Sequence, residues 1–296
     1  ESPIQIDSNN FYFKGANRTL VNLFVEKNIN LNNLNISTGF MTNIDSDYGY
    51  SYFPGVDISY QIKSNISFFV SYNKSMRTPN YTELYYKSPT NEGNINLQPE
   101  HSENKEIGLK YKQKNLTTSI TFYERKGENM IDWILLNGDS VWRTQNLSRI
   151  KTTGYEINSL IDINNFLNLN LPFSPVNINF AVNKSDTNSV GFQSAYILDH
   201  LKTNLSISTN QTINKKLFAN WRFTYQDREG GYINFADGIE NDYLPFWLVD
   251  IKLSYKLYTS STIYFEINNL LDKKYVDFGN IPQPGRWVRT GIKINL

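Results

Sequence analysis

Along most of this chain every second residue is apolar and the residues between are polar. In 248–257, LVDIKLSYKL, Val249, Ile251, Leu253, Tyr255 and Leu257 alternate with Asp250, Lys252, Ser254 and Lys256. In 106–112, Ile107, Leu109 and Tyr111 interleave with Glu106, Gly108, Lys110 and Lys112. The sets Val56/Ile58/Tyr60/Ile62, Ile66/Phe68/Val70/Tyr72, Ile178/Phe180/Val182 and Leu217/Ala219/Trp221/Phe223/Tyr225 repeat the pattern. Successive side chains leave a strand on opposite faces, so each stretch predicts a strand with one greasy and one wetted face. Helical periodicity is nearly absent. The alternation predicts about thirteen strands, over 16–28, 32–44, 49–62, 66–77, 102–113, 116–136, 141–163, 174–185, 196–210, 216–228, 243–257, 261–270 and 286–296.

The connections are of two kinds that take turns. Lys63-Ser64-Asn65, Gln113-Lys114-Asn115, Asn214-Lys215-Lys216 and Tyr258-Thr259-Ser260 are tight and polar. The stretches 78–101, 137–141, 186–195, 229–242 and 271–285 read as the longer, aromatic kind. Short turns at one end and longer loops at the other suit an antiparallel up-and-down sheet, and above all a membrane barrel. A soluble sandwich alternates too. The length of these strands and the bulky charged and amide groups along their polar faces favour a barrel around a hydrated lumen.

Composition narrows the classes. The chain of 296 residues balances 29 Lys and Arg against 28 Asp and Glu, so it lacks the basic excess of a nucleic-acid binder. It has 20 Tyr and 18 Phe, which argues against disorder. With no Cys there is no disulfide or thiolate site, and two His, His101 and His200, leave little for a histidine metal site. No run approaches the roughly 18 apolar residues of a membrane-spanning helix. The opening residues ESPIQIDSNN show no signal-peptide pattern, which leaves both cytoplasmic and mature exported proteins open.

Four stretches, in order, carry a resemblance. SYNKSMRTPNYTELYY (71–86) has Arg-x-Pro followed by an acidic-Leu-Tyr run. NINLQPEHSENKEIGLKY (94–111) presents Asn96, Leu97, Pro99, Glu100, Glu103, Glu106, Gly108, Lys110 and Tyr111. TTGYEINSLIDI (152–163) has Gly154 and Glu156 in a Gly-x-Glu strand. EINNLLDKKYVDFGNIPQPGRWVRTGIKINL (266–296) holds Asn268-Asn269-Leu270-Leu271-Asp272-Lys273-Lys274-Tyr275 and Pro284-Gly285-Arg286. Together these resemble the C-terminal part of TonB-dependent outer-membrane receptors.

The resemblance implies an all-β, antiparallel up-and-down transmembrane β-barrel, of which this chain is the C-terminal portion: about 13–14 strands of 22, residues 1–296 forming one partial domain without the plug. It implies the outer membrane of a Gram-negative bacterium, with membrane lipid as a partner. A missing N-terminal plug and barrel segment, or a partner chain, would complete the wall. An energy-transducing inner-membrane complex would act through the plug. The cargo would be a scarce, bulky nutrient: a ferric siderophore, haem or cobalamin. The chain departs from the family in ending on Leu296 where Phe or Trp is usual.

In the last strand Val288, Ile292, Ile294 and Leu296 are expected to face lipid, and Arg289, Lys293 and Asn295 the lumen. Tyr81, Tyr85, Tyr86, Trp133, Tyr232, Phe235 and Tyr243 are the candidate ligand-gripping aromatics of the loops. Trp142, Phe246 and Trp247 read as an interfacial girdle. Arg77, Glu100, Glu103, Arg143, Arg222 and Arg289 are candidate lumen- or plug-facing charges, a solvated wall being the alternative. Asp45 and Asp47 are too few for calcium. His101 and His200 lie near carboxylates, but nothing fixes a nucleophile or oxyanion site, so no enzymatic activity, metal or cofactor is expected. A self-contained pore or barrel enzyme, and a soluble β-rich binding protein, are the alternatives.

Overall fold

The computed structural model of the protein describes residues 15–186, 192–195, 200–233, 239–277 and 281–295; Phe235 and Leu296 lie outside them. Among the described residues thirteen long strands form one meandering sheet, and two short ones, Asn91–Glu92 and Phe192–Ser194, pair onto it at the rim. The long strands are β1 (Leu20–Leu31), β2 (Leu34–Asp45), β3 (Gly49–Lys63), β4 (Ile66–Arg77), β5 (Glu100–Gln113), β6 (Leu116–Leu136), β7 (Trp142–Ile161), β8 (Phe173–Asp186), β9 (His200–Thr212), β10 (Leu217–Glu229), β11 (Phe246–Tyr258), β12 (Ser261–Asn268) and β13 (Trp287–Ile294). Each pairs antiparallel with the next in order, the up-and-down topology that the turn pattern predicts. The first strand starts and ends later than expected, at Leu20 and Leu31.

Register turns separate apolar stripes into one surface. Leu31, Leu34, Tyr60, Phe68, Leu109, Ile120, Ile157, Phe180, Leu205, Tyr225 and Trp247 stand opposite one another in an unbroken row across eleven strands. The opposite face carries the row Asn28, Ser37, Asp57, Ser71, Glu106, Tyr123, Gly154 and Asn183. A one-residue slip at any pair would mix the two faces, so the lipid-like surface itself pins the register. Leu31, Tyr60, Leu109, Ile120 and Trp247 are exposed and the rest of the row only half-buried, because no second layer covers them. A soluble sheet would bury that face.

On the polar face, aromatic rings lie over glycines of the neighbouring strand. Phe69 faces Gly108, Tyr123 faces Gly154 and Tyr264 faces Gly291. A Cβ at any of these glycines would come within 3.0 Å of the ring. Gly154 of the Gly-x-Glu strand is thus kept bare by the Tyr123 ring, and the wall stays smooth there.

The two rims differ. β6 has 21 residues, roughly 70 Å at 3.3 Å per residue, and overshoots an apolar band of about 25 Å. Towards its long-loop end the apolar row gives way to the ring chain Phe122–Tyr155–Phe180, with centroids 6.1 and 5.9 Å apart. One rung further lie ion pairs: Lys105–Glu103 at 2.8 Å, Lys126–Glu124 at 3.0 Å and Lys151–Glu124 at 2.8 Å. Glu103 shares the face of Ile107 and Leu109, whereas Glu100 is on the other. The expectation of a lumen-facing Glu103 is therefore corrected: β5 alternates without a bulge, and the outer face simply turns polar above the apolar band.

Two five-residue helices interrupt the expected all-strand pattern. α1 (Tyr81–Tyr85) sits in the 78–101 connection. β7 stops at Ile161, two residues short of expectation, because Asp162 caps α2 (Ile163–Leu167). Among the described residues β1 pairs only with β2, and β13 only with β12, so the sheet is open.

Candidate functional site

The connection from β4 to β5 is the most elaborately built part of the long-loop rim. Pro79 ends the strand and is fully buried. Asn80 then opens α1 with a capping box: Glu83 N–H donates to Asn80 Oδ1 at 2.8 Å and Asn80 N–H to Glu83 Oε2 at 2.8 Å. Glu83 also accepts from Arg77, whose Nη1 lies 2.9 Å from Oε2. The other edge of the Arg77 guanidinium forks onto Glu100, with Nε to Oε2 and Nη2 to Oε1 both at 2.7 Å. Glu100 Oε1 further accepts the buried backbone N–H of Ile131, on β6, at 2.7 Å. One arginine thereby joins the last residue of β4, the helix cap and the first residue of β5, and Glu100 extends the tie to β6.

Beneath this clasp Leu84, Leu97 and Ile131 form a small apolar core with Tyr81 and Tyr85 against it. Thr144, fully buried, donates through Oγ1 to the Glu83 carbonyl at 2.7 Å. Asn94 N–H reaches the same carbonyl at 2.9 Å, and Gly93 N–H reaches Tyr86 O at 2.7 Å. Gly93 is obligatory: a Cβ there would sit 2.8 Å from the Leu84 carbonyl carbon and 2.9 Å from Glu83 O. Asn146 clamps Gln98 from both sides, accepting its N–H at 2.8 Å and donating to its carbonyl at 2.9 Å. Arg143 ties Glu92 at 3.3 Å and also pairs with Asp139. Lys87 and then Arg143 hold the Glu92 carboxyl below the ordinary glutamate range, and Arg143 does the same for Asp139.

From the other side Arg18 donates to Pro79 O at 2.9 Å and stacks 5.4 Å from the Tyr81 ring centroid and 5.9 Å from that of Tyr48. Its Nε lies 3.7 Å from Asp45, whose Oδ1 accepts from the N–H groups of Asp47 and Tyr48. Asp45 thus shapes the β2–β3 turn. Burial raises the Tyr48 phenol above its usual value. Between this turn and the 78–101 segment opens a cavity of 680 Å³, lined among others by Asp47, Tyr48, Tyr50, Tyr85, Asn96 and His101.

Of the predicted loop aromatics, four meet in two pairs. Tyr81 and Tyr85 pair at 6.1 Å, and Tyr86 meets Trp133 edge-on at 6.2 Å. Tyr232 and Tyr243 form a separate pair at 5.3 Å. Tyr243 is buried, with Arg228 5.7 Å over its ring and Arg228 in turn 2.8 Å from Asp277. Phe235 is outside the described residues. Of the girdle residues, Trp247 stands exposed beside Tyr225 on the apolar face. Phe246 corrects the expectation: it falls on the opposite face and is buried with its ring 4.3 Å from that of Tyr275.

Of the predicted wall charges, Arg77 and Glu100 form the clasp. Arg222 stands opposite Asp250 in register, and Arg289 pairs with Glu266 at 2.7 Å. Sequence reasoning did not single out Arg18, Asn80, Glu83, Gly93, Thr144, Asn146 or the buried Asp132. Only the Asn80-x-x-Glu83 spacing carried a readable signal, that of a capping box.

The terminal box is a second anchor. Asn269, in the left-handed region at φ 51° and buried, donates to Lys273 O at 2.8 Å and Pro284 O at 3.3 Å and accepts Lys273 N–H at 2.9 Å. Asp272 accepts Arg286 N–H at 2.8 Å. The Asn-Asn-Leu-Leu-Asp run thus closes the β12–β13 loop.

A lipid-facing meander with a wet inner face and a braced aromatic rim is the wall of an outer-membrane β-barrel. The family model described as TonB dependent receptor-like, beta-barrel, matches residues 2–270, and the chain belongs to that family, whose members reside in the outer membrane of Gram-negative bacteria. Relatives agree. The chain is 23% identical over 210 residues to the vitamin B12 transporter BtuB of Vibrio vulnificus, covering 71% of this chain and 31% of the relative. It is 25% identical over 236 residues to a probable hemoglobin and hemoglobin-haptoglobin-binding protein of Haemophilus influenzae, covering 70% and 23%. The crystal structure of the siderophore receptor PirA from Acinetobacter baumannii superposes with a TM-score of 0.72 at 16% identity, over 94% of this chain and 46% of PirA. The chain thus spans about a third of the length of the curated BtuB relative and just under half of PirA.

Proposed function

We propose that this chain forms the C-terminal part of the barrel wall, and much of the ligand-gripping rim, of a receptor that imports a scarce, bulky nutrient. Ferric siderophores, haem and cobalamin are the candidate cargoes, with cobalamin or a siderophore favoured. The observation that carries the reading is the clasped 78–101 segment, which holds Tyr81 against Tyr85 and Tyr86 against Trp133 on a hydrogen-bonded backbone at the long-loop rim. In this reading residues 1–296 act as one wall domain without chemistry of their own, and Arg222 and Arg289 line the path beside the plug. Among the described residues the outer edges of β1 and β13 have no strand partner, and N–H and C=O groups there cannot stay bare in hydrocarbon, which supports completion of the wall by strands of a missing N-terminal segment or a partner chain. Energy would reach the plug from an inner-membrane complex.

The test is uptake. A strain lacking the gene is supplied with labelled cobalamin, a ferric siderophore panel or haem, and complemented with the wild-type gene or with Tyr85→Ala/Tyr86→Ala. Loss of uptake of one cargo in the deletion strain, and weaker uptake with the double variant, is expected. Uptake of all three unchanged by deletion would refute the proposal.

A further inference from the structure

The β7–β8 connection stands apart from the other short-turn links. Those between β1 and β2, β3 and β4, β5 and β6, and β11 and β12 are tight polar turns. This one runs from Asp162 through α2 to Phe173, with sequence DINNFLNLNLPF, and exposes Phe166, Leu167, Leu169, Leu171 and Phe173, each between 37% and 54%. No residue from 163 to 173 is charged. Its polar groups are turned to holding the backbone. The Asp162 carboxylate accepts from Asn165 N–H, Asn165 Nδ2 and Ser174 Oγ. Asn164 bridges to Leu171 N–H at 2.8 Å and Leu171 O at 2.9 Å, and Asn115 Nδ2 holds Asn165 O at 3.1 Å. The result is an internally bonded turn that displays hydrocarbon.

The patch is continuous with the lipid-facing wall. Phe173 stands opposite Gln211, which stands opposite Ala219, then Leu253 and Phe265: the apolar-face row of β9 to β12. Thr212 N–H bonds to Pro172 O at 2.9 Å, which sets the half-exposed Ile213 of the next turn beside it. The face of Phe173 is already the lipid face, and the residues that follow it around the turn keep the same chemistry.

We propose that residues 162–173 form a membrane foot, which rests in the inner leaflet of the outer membrane with Phe166, Leu167, Leu169, Leu171 and Phe173 among phospholipid acyl chains. A backbone tied by its own asparagines, with its one carboxylate, Asp162, at the strand end and already accepting three hydrogen bonds, suits the headgroup–acyl boundary. The foot fixes the depth of the barrel at its short-turn rim, opposite the aromatic and ionic rungs at the other.

This chain contains no cysteine, so an introduced cysteine is the single labelling position within it. Nitroxides are placed at Leu169→Cys and Phe166→Cys in the foot, at Leu253→Cys on the wall and at Asn65→Cys in a polar turn. The complete protein is reconstituted in phosphatidylethanolamine–phosphatidylglycerol vesicles, and collision with oxygen and with nickel-EDDA is read by power saturation. Labels at 166, 169 and 253 are expected to favour oxygen, with a depth parameter opposite in sign to that at 65. A water-like signal at both 166 and 169 alongside a lipid signal at 253 overturns the foot while leaving the wall intact. Low access to both reagents at 166 and 169 also overturns it, since the patch would then be covered by protein.

Discussion

Replacing Glu100 by Ala tests whether the Arg77 clasp, rather than the small apolar core, orders the 78–101 segment. The substitution strips the acceptor from Ile131 N–H, which is buried. Leaving such a donor bare costs about 1–3 kcal/mol. It also removes a two-bond fork, but the Arg77 side chain is 44% exposed, so water replaces much of it and about 1 kcal/mol is a fair share. The sum centres on about 3 kcal/mol, and at 1.4 kcal/mol per decade protection should fall roughly 100-fold. The loss should be local, since the clasp belongs to one rim and segments open independently. Hydrogen exchange followed by mass spectrometry reads it at Gly93 and Asn94, whose N–H groups bond within the segment. Amides of β10 and β11 serve as the internal control. Glu100→Gln retains one oxygen for Ile131 and Arg77 Nη2 but turns an NH₂ towards Arg77 Nε, so its effect should be intermediate. Protection at Gly93 and Asn94 within about threefold of wild type in Glu100→Ala, or roughly 0.7 kcal/mol, would refute the reasoning and assign the order to Leu84, Leu97 and Ile131 alone.

Gly93→Ala drives a methyl into the Leu84 backbone and should loosen the segment by about 1–3 kcal/mol, seen as faster proteolysis within 78–101 with unchanged heat-modifiable migration of the barrel. Asn269→Ala should open the β12–β13 loop to protease. Asn269→Gly, which restores left-handed freedom but not the three hydrogen bonds, should rescue it only in small part; full rescue would show that backbone strain, not bonding, is what Asn269 relieves. The depressed Glu92 carboxyl stabilises its ties to Lys87 and Arg143 above its unfolded-state value and loses them as pH falls through its lower folded value. A nitroxide at Thr90→Cys should keep constant mobility from pH 8 to about 5 and gain mobility only below about 4.

The strands were legible because hydrocarbon acts on every second residue, so Leu109, Ile120, Ile157 and Phe180 announce themselves one strand at a time. What alternation does not carry is height. Above the apolar band both faces are wet, so Glu103 reads as a lumen charge although it shares the outer face of Ile107 and Leu109. Burial by distant partners is equally silent: Phe246 reads as a girdle aromatic until Tyr275 covers it. The clasp was half legible. Arg77 and Glu100 stood out as charges at strand ends, but their partners Glu83, Ile131 and, for the loop base, Arg18 are joined across gaps of 6, 31 and 61 residues that no local period marks.

The order of the 78–101 segment bears directly on what its aromatics can do. Fixing one backbone residue costs about 1–2 kcal/mol. A disordered connection that folded around a cargo would lose, over even a third of its length, about as much free energy as a micromolar complex gains. Here the capping box, the Arg77 fork, the Asn146 clamp and the bare Gly93 meet that cost when the barrel folds, so the proposed grip of Tyr85, Tyr86 and Trp133 on a cargo needs no further ordering of the backbone. Charge rather than grease suits the task at this height. The fork stays wet on one edge, where its ions are cheaply solvated, and dry on the other, where Glu100 holds Ile131, so it locks the segment without adding an apolar patch to a surface that faces water.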